Sequence, residues 1–169
     1  MKYEVIDNFL PQDQFDNLKK LATGPDMLWH RVNQLNDKHN EKEDFDLMFV
    51  HLLFESNMYP PSSTFFEYFA FIQDRLDCKS LRRMKLNLYP HTSEIRTHAP
   101  HIDYDFEHKG CILSFNTCDG ATVLEDGTKI DSIENRALIF DASKPHSSTS
   151  TTNARARYNL NINYFKKKK

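Results

Sequence analysis

Glycine is scarce in this chain, four residues in 169, which excludes collagen-like repeats and Gly-rich flexible linkers. Cysteine is as thin. Cys78, Cys111 and Cys118 form an odd set without Cys-x-x-Cys spacing, so neither a disulfide framework nor a structural zinc site is expected. The three thiols read as ordinary buried side chains. No apolar run approaches the roughly 18 residues of a membrane span, and the richest, Phe65 to Ile72, is interrupted by Glu67. The opening Met1-Lys2-Tyr3-Glu4-Val5 lacks the apolar stretch of a secretory signal. A formal net charge of −2 supplies no general attraction for nucleic acid or acidic membranes, and the Lys166–Lys169 run reads as a solvated basic tail. These absences imply a soluble protein of a cytoplasmic, reducing compartment.

What the chain does have is aromatic mass and clear periodicity. Thirteen Phe and seven Tyr argue against disorder despite a negative mean hydropathy. Residues 1–169 are expected to form a single domain with a substantial core. Tyr3, Val5 and Ile6 suggest a short opening strand. A helix is expected from Pro11, with Asp13 at its positive end, Phe15, Leu18 and Leu21 facing inward, and Gly24-Pro25 as its stop. Residues 30 to 46 are polar and read as a surface loop, with a lid role left open. The apolar segment Met48 to Phe54 fits either helix or strand. Thr64-Phe-Phe-Glu67 has capping-box spacing, and Phe65, Phe69, Ile72 and Leu76 form a helical stripe that reads as core.

From position 82 the period becomes two. Met84, Leu86 and Leu88 alternate with Arg83, Lys85, Asn87 and Tyr89, as in a half-buried strand. Further strands are expected around 101–104, 111–117, 121–124, 128–131, 136–141 and 155–165, with Glu125-Asp126-Gly127 as a hairpin turn. The fold class is therefore mainly β with N-terminal helices: residues 1–80 as mostly helical support, 81–165 as a sandwich or barrel, and 166–169 as tail. In the last strand Ala156, Tyr158, Leu160, Ile162 and Tyr164 share one face, and Arg155, Arg157, Asn159, Asn161 and Asn163 the other. That polar face suits either solvent or the interior of a polar pocket.

One constellation carries chemistry. His101-Ile102-Asp103 would put an imidazole and a carboxylate on the same side of a strand, and His146 supplies a second imidazole. Two His and one carboxylate leave open positions on a divalent metal, the arrangement of non-haem Fe(II) oxygenases. The tripeptide alone is weak evidence. With eight His and 24 acidic residues, roughly one His-x-acid pair arises by chance, and a second, His39-Asn40-Glu41, lies in the polar loop. Order gives the first pair its weight: strand-like segments separate it from His146, and an Arg follows in the most regular strand. Arg suits a carboxylate anchor because its fork takes two oxygens and stays charged.

Leu88-Tyr89-Pro90, His101-Ile-Asp103, the region from Asn116 to Lys129, Leu138-Ile-Phe140 leading to His146, and Arg157-Tyr-Asn-Leu-Asn-Ile-Asn-Tyr-Phe165 together resemble the 2-oxoglutarate- and Fe(II)-dependent oxygenases, in their prolyl-hydroxylase-like branch. The resemblance covers about residues 82–165. It implies a double-stranded β-helix (jelly roll) flanked by helices, with His101, Asp103 and His146 as iron ligands. It implies Arg157 as the anchor of the distal carboxylate of 2-oxoglutarate, with Arg155 as the alternative, and Tyr89 as a hydrogen-bonding partner of that cosubstrate. Fe(II), 2-oxoglutarate and O2 would be the cofactors, and a prolyl or other peptide side chain, or a small molecule, the substrate. The chain departs from the family in a longer loop after Tyr89 that lacks its usual Gly, and in Ser114 where many relatives carry a second Tyr. His98 and His108 flank the motif without a partner acid and read as surface or supporting residues. Two other readings stand beside this one: oxidative demethylation of a nucleobase, which the acidic balance disfavours, and a metal-binding jelly-roll module without catalysis.

Overall fold

A computed structural model of the chain describes residues 2–33, 47–60 and 62–167. Its strands are β1 (Glu4–Ile6), β2 (His30–Asn33), β3 (Leu47–Glu55), β4 (Cys78–Pro90), β5 (Lys109–Ser114), β6 (Ala121–Leu124), β7 (Lys129–Asp131), β8 (Ala137–Asp141), β9 (His146–Ser148) and β10 (Ala156–Lys166). Its helices are α1 (Gln12–Ala22), α2 (Phe66–Phe69) and α3 (Ile72–Arg75). Seven strands form one sheet in the order β1-β8-β5-β10-β4-β3-β2, and three form a second, β7-β6-β9. Every pairing between these strands is antiparallel. Two such sheets make a sandwich of jelly-roll type. Among the described residues no helix is long and apolar enough to cross a membrane.

The middle of the large sheet is covered on both faces, so β5 and most of β10 bury both of their side-chain rows. On one face Leu160, Ile162 and Tyr164 of β10, Met84 and Leu86 of β4, and Leu53 of β3 join Phe15 and Leu18 of α1 and Phe69, Ile72 and Leu76 in one apolar cluster. Each fully buried side chain of this size contributes about 1.5–3 kcal/mol by leaving water. On the other face Ile112, Leu138, Phe140 and Ala142 pack with Leu124 of the small sheet. The polar row of β10 lies between the sheets: Arg157, Asn159, Asn161 and Asn163 are at most 5% exposed, which decides for the pocket interior over solvent.

The first helix forms as its sequence directs. Pro11 is its N-cap, Asp13 stands in the first turn and Lys19 and Lys20 in the last, and Thr23 and Gly24 end it. The aromatic stripe is core, yet it lies on two single turns and the capping box does not form. Phe65 occupies the cap position of α2 without a side-chain cap bond, and Phe65 N–H donates instead to Ser63 Oγ at 3.3 Å. Met48 to Phe54 is strand, because β3 finds partners on both sides in β2 and β4.

Other expectations need correction. The helical support before residue 81 is partial: α1, α2 and α3 are there, but β1, β2 and β3 extend the large sheet. Residues 30–33 belong to strand β2 through pairing with β3, and the rest of the expected polar loop, with its lid question and the His39-Asn40-Glu41 pair, lies outside the described residues. Residues 101–104 form no strand; His101 makes only an isolated bridge to His146. His146, which follows Lys144-Pro145 and reads as loop, begins strand β9. The Glu125-Asp126-Gly127 hairpin is as expected, with Gly127 at φ 81°, which a side chain would oppose.

Candidate metal and cosubstrate site

His101, Asp103 and His146 converge between the sheets. One ligand atom from each lies within 4.8 Å of the others. Backbone bonding sets this up: His101 N–H donates to His146 C=O and His146 N–H to His101 C=O, both at 3.0 Å, and Asp103 N–H donates to Ala142 C=O at 3.1 Å. The paired backbones bring the two imidazole centroids to 4.6 Å. The short bridge thus does what a longer strand was expected to do.

The protonation states suit metal binding. Burial, with the neighbouring His146, lowers the His101 pKa to about 4, and burial also lowers that of His146, so both rings are neutral at pH 7. His146 Nδ1 lies 3.0 Å from Lys144 C=O, which only a protonated nitrogen can approach; this leaves the Nε2 lone pair, 3.9 Å from Asp103 Oδ2, for a metal. His101 Nδ1 is buried and has no hydrogen-bond partner. Asp103 is the opposite case. Burial alone would raise its pKa, but the positive charges of Arg83 and Lys85 and an amide bond from Asn163 hold it well below the usual carboxylate range. Arg83 Nη2 binds Oδ1 at 2.7 Å, while Asn163 Nδ2 reaches Oδ2 at 2.8 Å. Two neutral imidazoles and an ionised, oriented carboxylate fit a divalent metal of the Fe(II) type.

Arg157 stands on the same inward row of β10 as Asn161 and Asn163, whose amides reach Asp103, and lies directly across from Tyr89 on β4. It is 1% exposed, and no carboxylate among the described residues pairs with it. Its Nη2 donates to Thr122 Oγ1 at 2.9 Å and its Nη1 to Thr149 C=O at 3.3 Å, while Nε is buried and unpartnered. The guanidinium carbon stands 5.3 Å from the Tyr89 ring centroid, a cation–π distance. Burial pushes the Tyr89 hydroxyl up in pKa, so it stays protonated and able to donate. A lone buried cation beside a phenol is the environment that an anionic ligand would complete. Arg155 is exposed and precedes β10.

Several positioning residues carry no signal of their own in the sequence. Asn116 brackets Arg157: its Nδ2 donates to Ala156 C=O at 3.0 Å and its Oδ1 accepts from Tyr158 N–H at 2.9 Å. Gly120 leaves room for the Arg157 stem, since a Cβ there would sit 2.7 Å from Arg157 Cδ and 2.7 Å from Ser150 C=O. Arg83 shares a face with Lys85, Asn87 and Tyr89, and only its approach to Asp103 reveals its use. His98 and His108 are buried supports: His98 stacks on Tyr89 with centroids 5.3 Å apart, and His108 Nε2 lies 3.3 Å from Asn163 Nδ2. Ser114 is buried directly across from Asn159 on β10, on the face between the sheets, with its N–H on Arg136 C=O. Cys111 and Cys118 are buried, Cys78 is half-buried, and all three are free thiols.

Fold and cluster together define a jelly-roll protein with a two-histidine, one-carboxylate cluster and a buried arginine on the inward row of β10. The sequence matches no protein-family model and no curated protein. Among solved structures the chain is similar to a prolyl-4-hydroxylase from Pseudomonas putida (14% identity, 98% of this chain and 92% of that one, TM-score 0.62). It is also similar to a Trichoplax adhaerens prolyl hydroxylase in complex with a peptide fragment of a hypoxia-inducible factor degradation domain (18% identity, 96% and 83%, TM-score 0.68). A third is a 2-oxoglutarate–Fe(II) oxygenase family oxidoreductase from Burkholderia pseudomallei (11% identity, 96% and 84%, TM-score 0.70). The fold is thus that of the 2-oxoglutarate–Fe(II) oxygenases, prolyl hydroxylases among them.

Proposed function

We propose that the chain is a single-domain Fe(II)- and 2-oxoglutarate-dependent dioxygenase built on a double-stranded β-helix. The observation that carries this is the His101–Asp103–His146 cluster together with a buried Arg157, without a carboxylate partner among the described residues, on the same inward row of β10 as Asn161 and Asn163, whose amides reach Asp103. In this reading His101, Asp103 and His146 would hold the iron, and Arg157 would take the distal carboxylate of 2-oxoglutarate in its fork, with the Tyr89 hydroxyl as a further donor. Bound iron, 2-oxoglutarate and O2 would supply the oxidising power, consuming the cosubstrate to succinate and CO2 as the substrate is hydroxylated. The protein positions and shields: the Asn159, Asn161 and Asn163 row walls the pocket, and Arg83 keeps Asp103 ionised and aimed.

For the substrate, the likeness to prolyl hydroxylases makes a prolyl or other peptide side chain the first candidate, with a small molecule of the same reaction type behind it. A nucleobase is a weaker fit, since a net charge of −2 offers no general pull on nucleic acid. A non-catalytic metal-binding module would have no need of a buried unpaired arginine. The test is succinate release on aerobic incubation with Fe(II) and 2-oxoglutarate. Wild type is expected to release succinate even without its substrate, and Asp103→Ala to release none; equal release by both would remove the metal centre from the reading.

A further inference from the structure

The sandwich-facing row of β4 reads Tyr89, Asn87, Lys85, Arg83, and three of these four have partners. Tyr89 faces Arg157, Asn87 Nδ2 donates to Asn159 Oδ1 at 2.9 Å, and Arg83 binds Asp103. Lys85 stands between them, across from Asn161 on β10 and Leu52 on β3, and makes no hydrogen bond or ion pair with any described residue. It senses the charges of Asp103 and Glu55, but both are already engaged. Asp103 has Arg83 and Asn163, and Glu55 has Arg82 at 3.1 Å and the Tyr104 hydroxyl at 3.0 Å. Arg83, His101 and His146 are the other titratable groups facing it, and none can accept its charge as a carboxylate would.

An unpaired lysine at this depth is costly, and a Met or Leu of similar length would be cheaper. Burial lowers its pKa only to about 8, so the ammonium remains mostly charged at neutral pH. Lys85 is also not sealed in. The β10 side of the row, from Arg157 to Asn163, is buried, whereas Lys85 and its β3 neighbours Val50 and Leu52 are half-buried. The pocket therefore opens toward β3. Val50 and Leu52 share the face of Lys85, because directly opposed residues of an antiparallel pair point the same way. What enters there meets an ammonium flanked by aliphatic side chains.

We propose that Lys85 receives a carboxylate of the molecule that is oxidised, and that this molecule is an aliphatic acid or an acidic side chain, with its carbon skeleton against Val50 and Leu52. The inference rests on the oxygenase reading given above. There the cosubstrate would be held between Arg157 and the metal ligands, and Lys85, which belongs to neither, stands on the half-buried flank toward β3. A divalent metal, a dianionic cosubstrate, Asp103, Arg157, Arg83 and Lys85 together keep the loaded site net positive, which favours an anionic guest.

The shared chemistry, a carboxylate on Lys85, has two sources: the substrate or the 2-oxo acid end of the cosubstrate. NMR of the Lys85 side chain in the Zn(II)-loaded protein separates them, with acetate as probe and acetamide as its neutral counterpart. With 2-oxoglutarate already bound, acetate is expected to shift the Lys85 Cε–H signal saturably and acetamide to leave it unmoved. Lys85→Gln should weaken acetate binding about tenfold or more, and Lys85→Arg should retain it. If 2-oxoglutarate itself shifts Lys85, blocks acetate and binds more weakly to Lys85→Gln, the carboxylate is the cosubstrate's and the proposal is overturned. Equal binding of acetate and acetamide, or acetate binding that ignores Lys85→Gln and Lys85→Arg alike, overturns it as well. Failure of 2-oxoglutarate to bind the Zn(II)-loaded protein sinks the oxygenase reading instead, and acetate still reports on Lys85 in that sample.

Discussion

Arg83 Nη2 and Asp103 Oδ1 lie 2.7 Å apart, with the carboxylate side chain 3% exposed and the arginine 18%. The pair fixes one carboxylate oxygen and leaves Oδ2, the atom nearer His146, turned toward the cluster. Removing the arginine frees the carboxylate to rotate and leaves it with fewer stabilising charges. Arg83→Met is expected to weaken metal binding about 10–100-fold while retaining the fold. Titration with Mn(II), followed by calorimetry, measures this; unchanged affinity would mean that Asn161 and Asn163 orient Asp103 without the arginine.

Gly120 and Arg157 make a second such pair. Gly120→Ala forces either the Arg157 stem or the Ser150 backbone to move by several tenths of an ångström. The expected result is a rise of about tenfold in the 2-oxoglutarate concentration required, with metal affinity unchanged. Arg157→Ala should have a larger effect on the same quantity, and the exposed Arg155→Ala almost none. A greater effect from Arg155 would move the anchor to that residue.

Acid should destabilise the metal-free protein in a defined window. The folded-state pKa of His101 is about 4 against an ordinary value near 6.5, so between these limits the unfolded chain takes up a proton that the folded one refuses. Stability then falls as pH drops from about 6.5 toward about 4, by at most about 1.4 kcal/mol per pH unit from this group, and His146 adds in the same direction. Asp103 is shifted in the same direction, downward: the stability it contributes is fully present above the ordinary carboxylate range and is lost as pH falls through that range toward its lowered folded value, below this window. Thermal melts with a chelator present should show the slope, and His101→Gln should flatten it.

The core under the site sets a stability scale. Leu160 is fully buried on the helix-facing side of β10, between β4 and β5. Leu160→Ala is expected to cost about 2–5 kcal/mol through lost burial and the cavity left behind. Denaturant titration gives the value, and a loss below 1 kcal/mol would mean that the neighbouring side chains close the space.

Chain order and period single out a candidate set, of which the structure brings His101, Asp103 and His146 together. His101, Asp103, His146 and Arg157 are named by residue type and sequence, and α1, β4, the Asp126-Gly127 hairpin and β10 follow from local rules of capping, alternation and turn chemistry. Local rules do not reach further. Alternation in β10 shows that its two rows differ, but a polar row against water and a polar row around a pocket look the same until the second sheet is placed over it. The three-residue β9 pairs with β6, 22 to 26 residues earlier, and the bridge joins His101 to His146, 45 residues apart, so nothing nearby in sequence marks either. Arg83, Lys85, Asn116 and Gly120 acquire their roles only from what lies across from them. Sequence by itself determined which chemical groups the protein possesses and in what order; tertiary structure alone decided which face is interior and which cations have a carboxylate partner, because burial and long-range contact are properties of the assembled sheets.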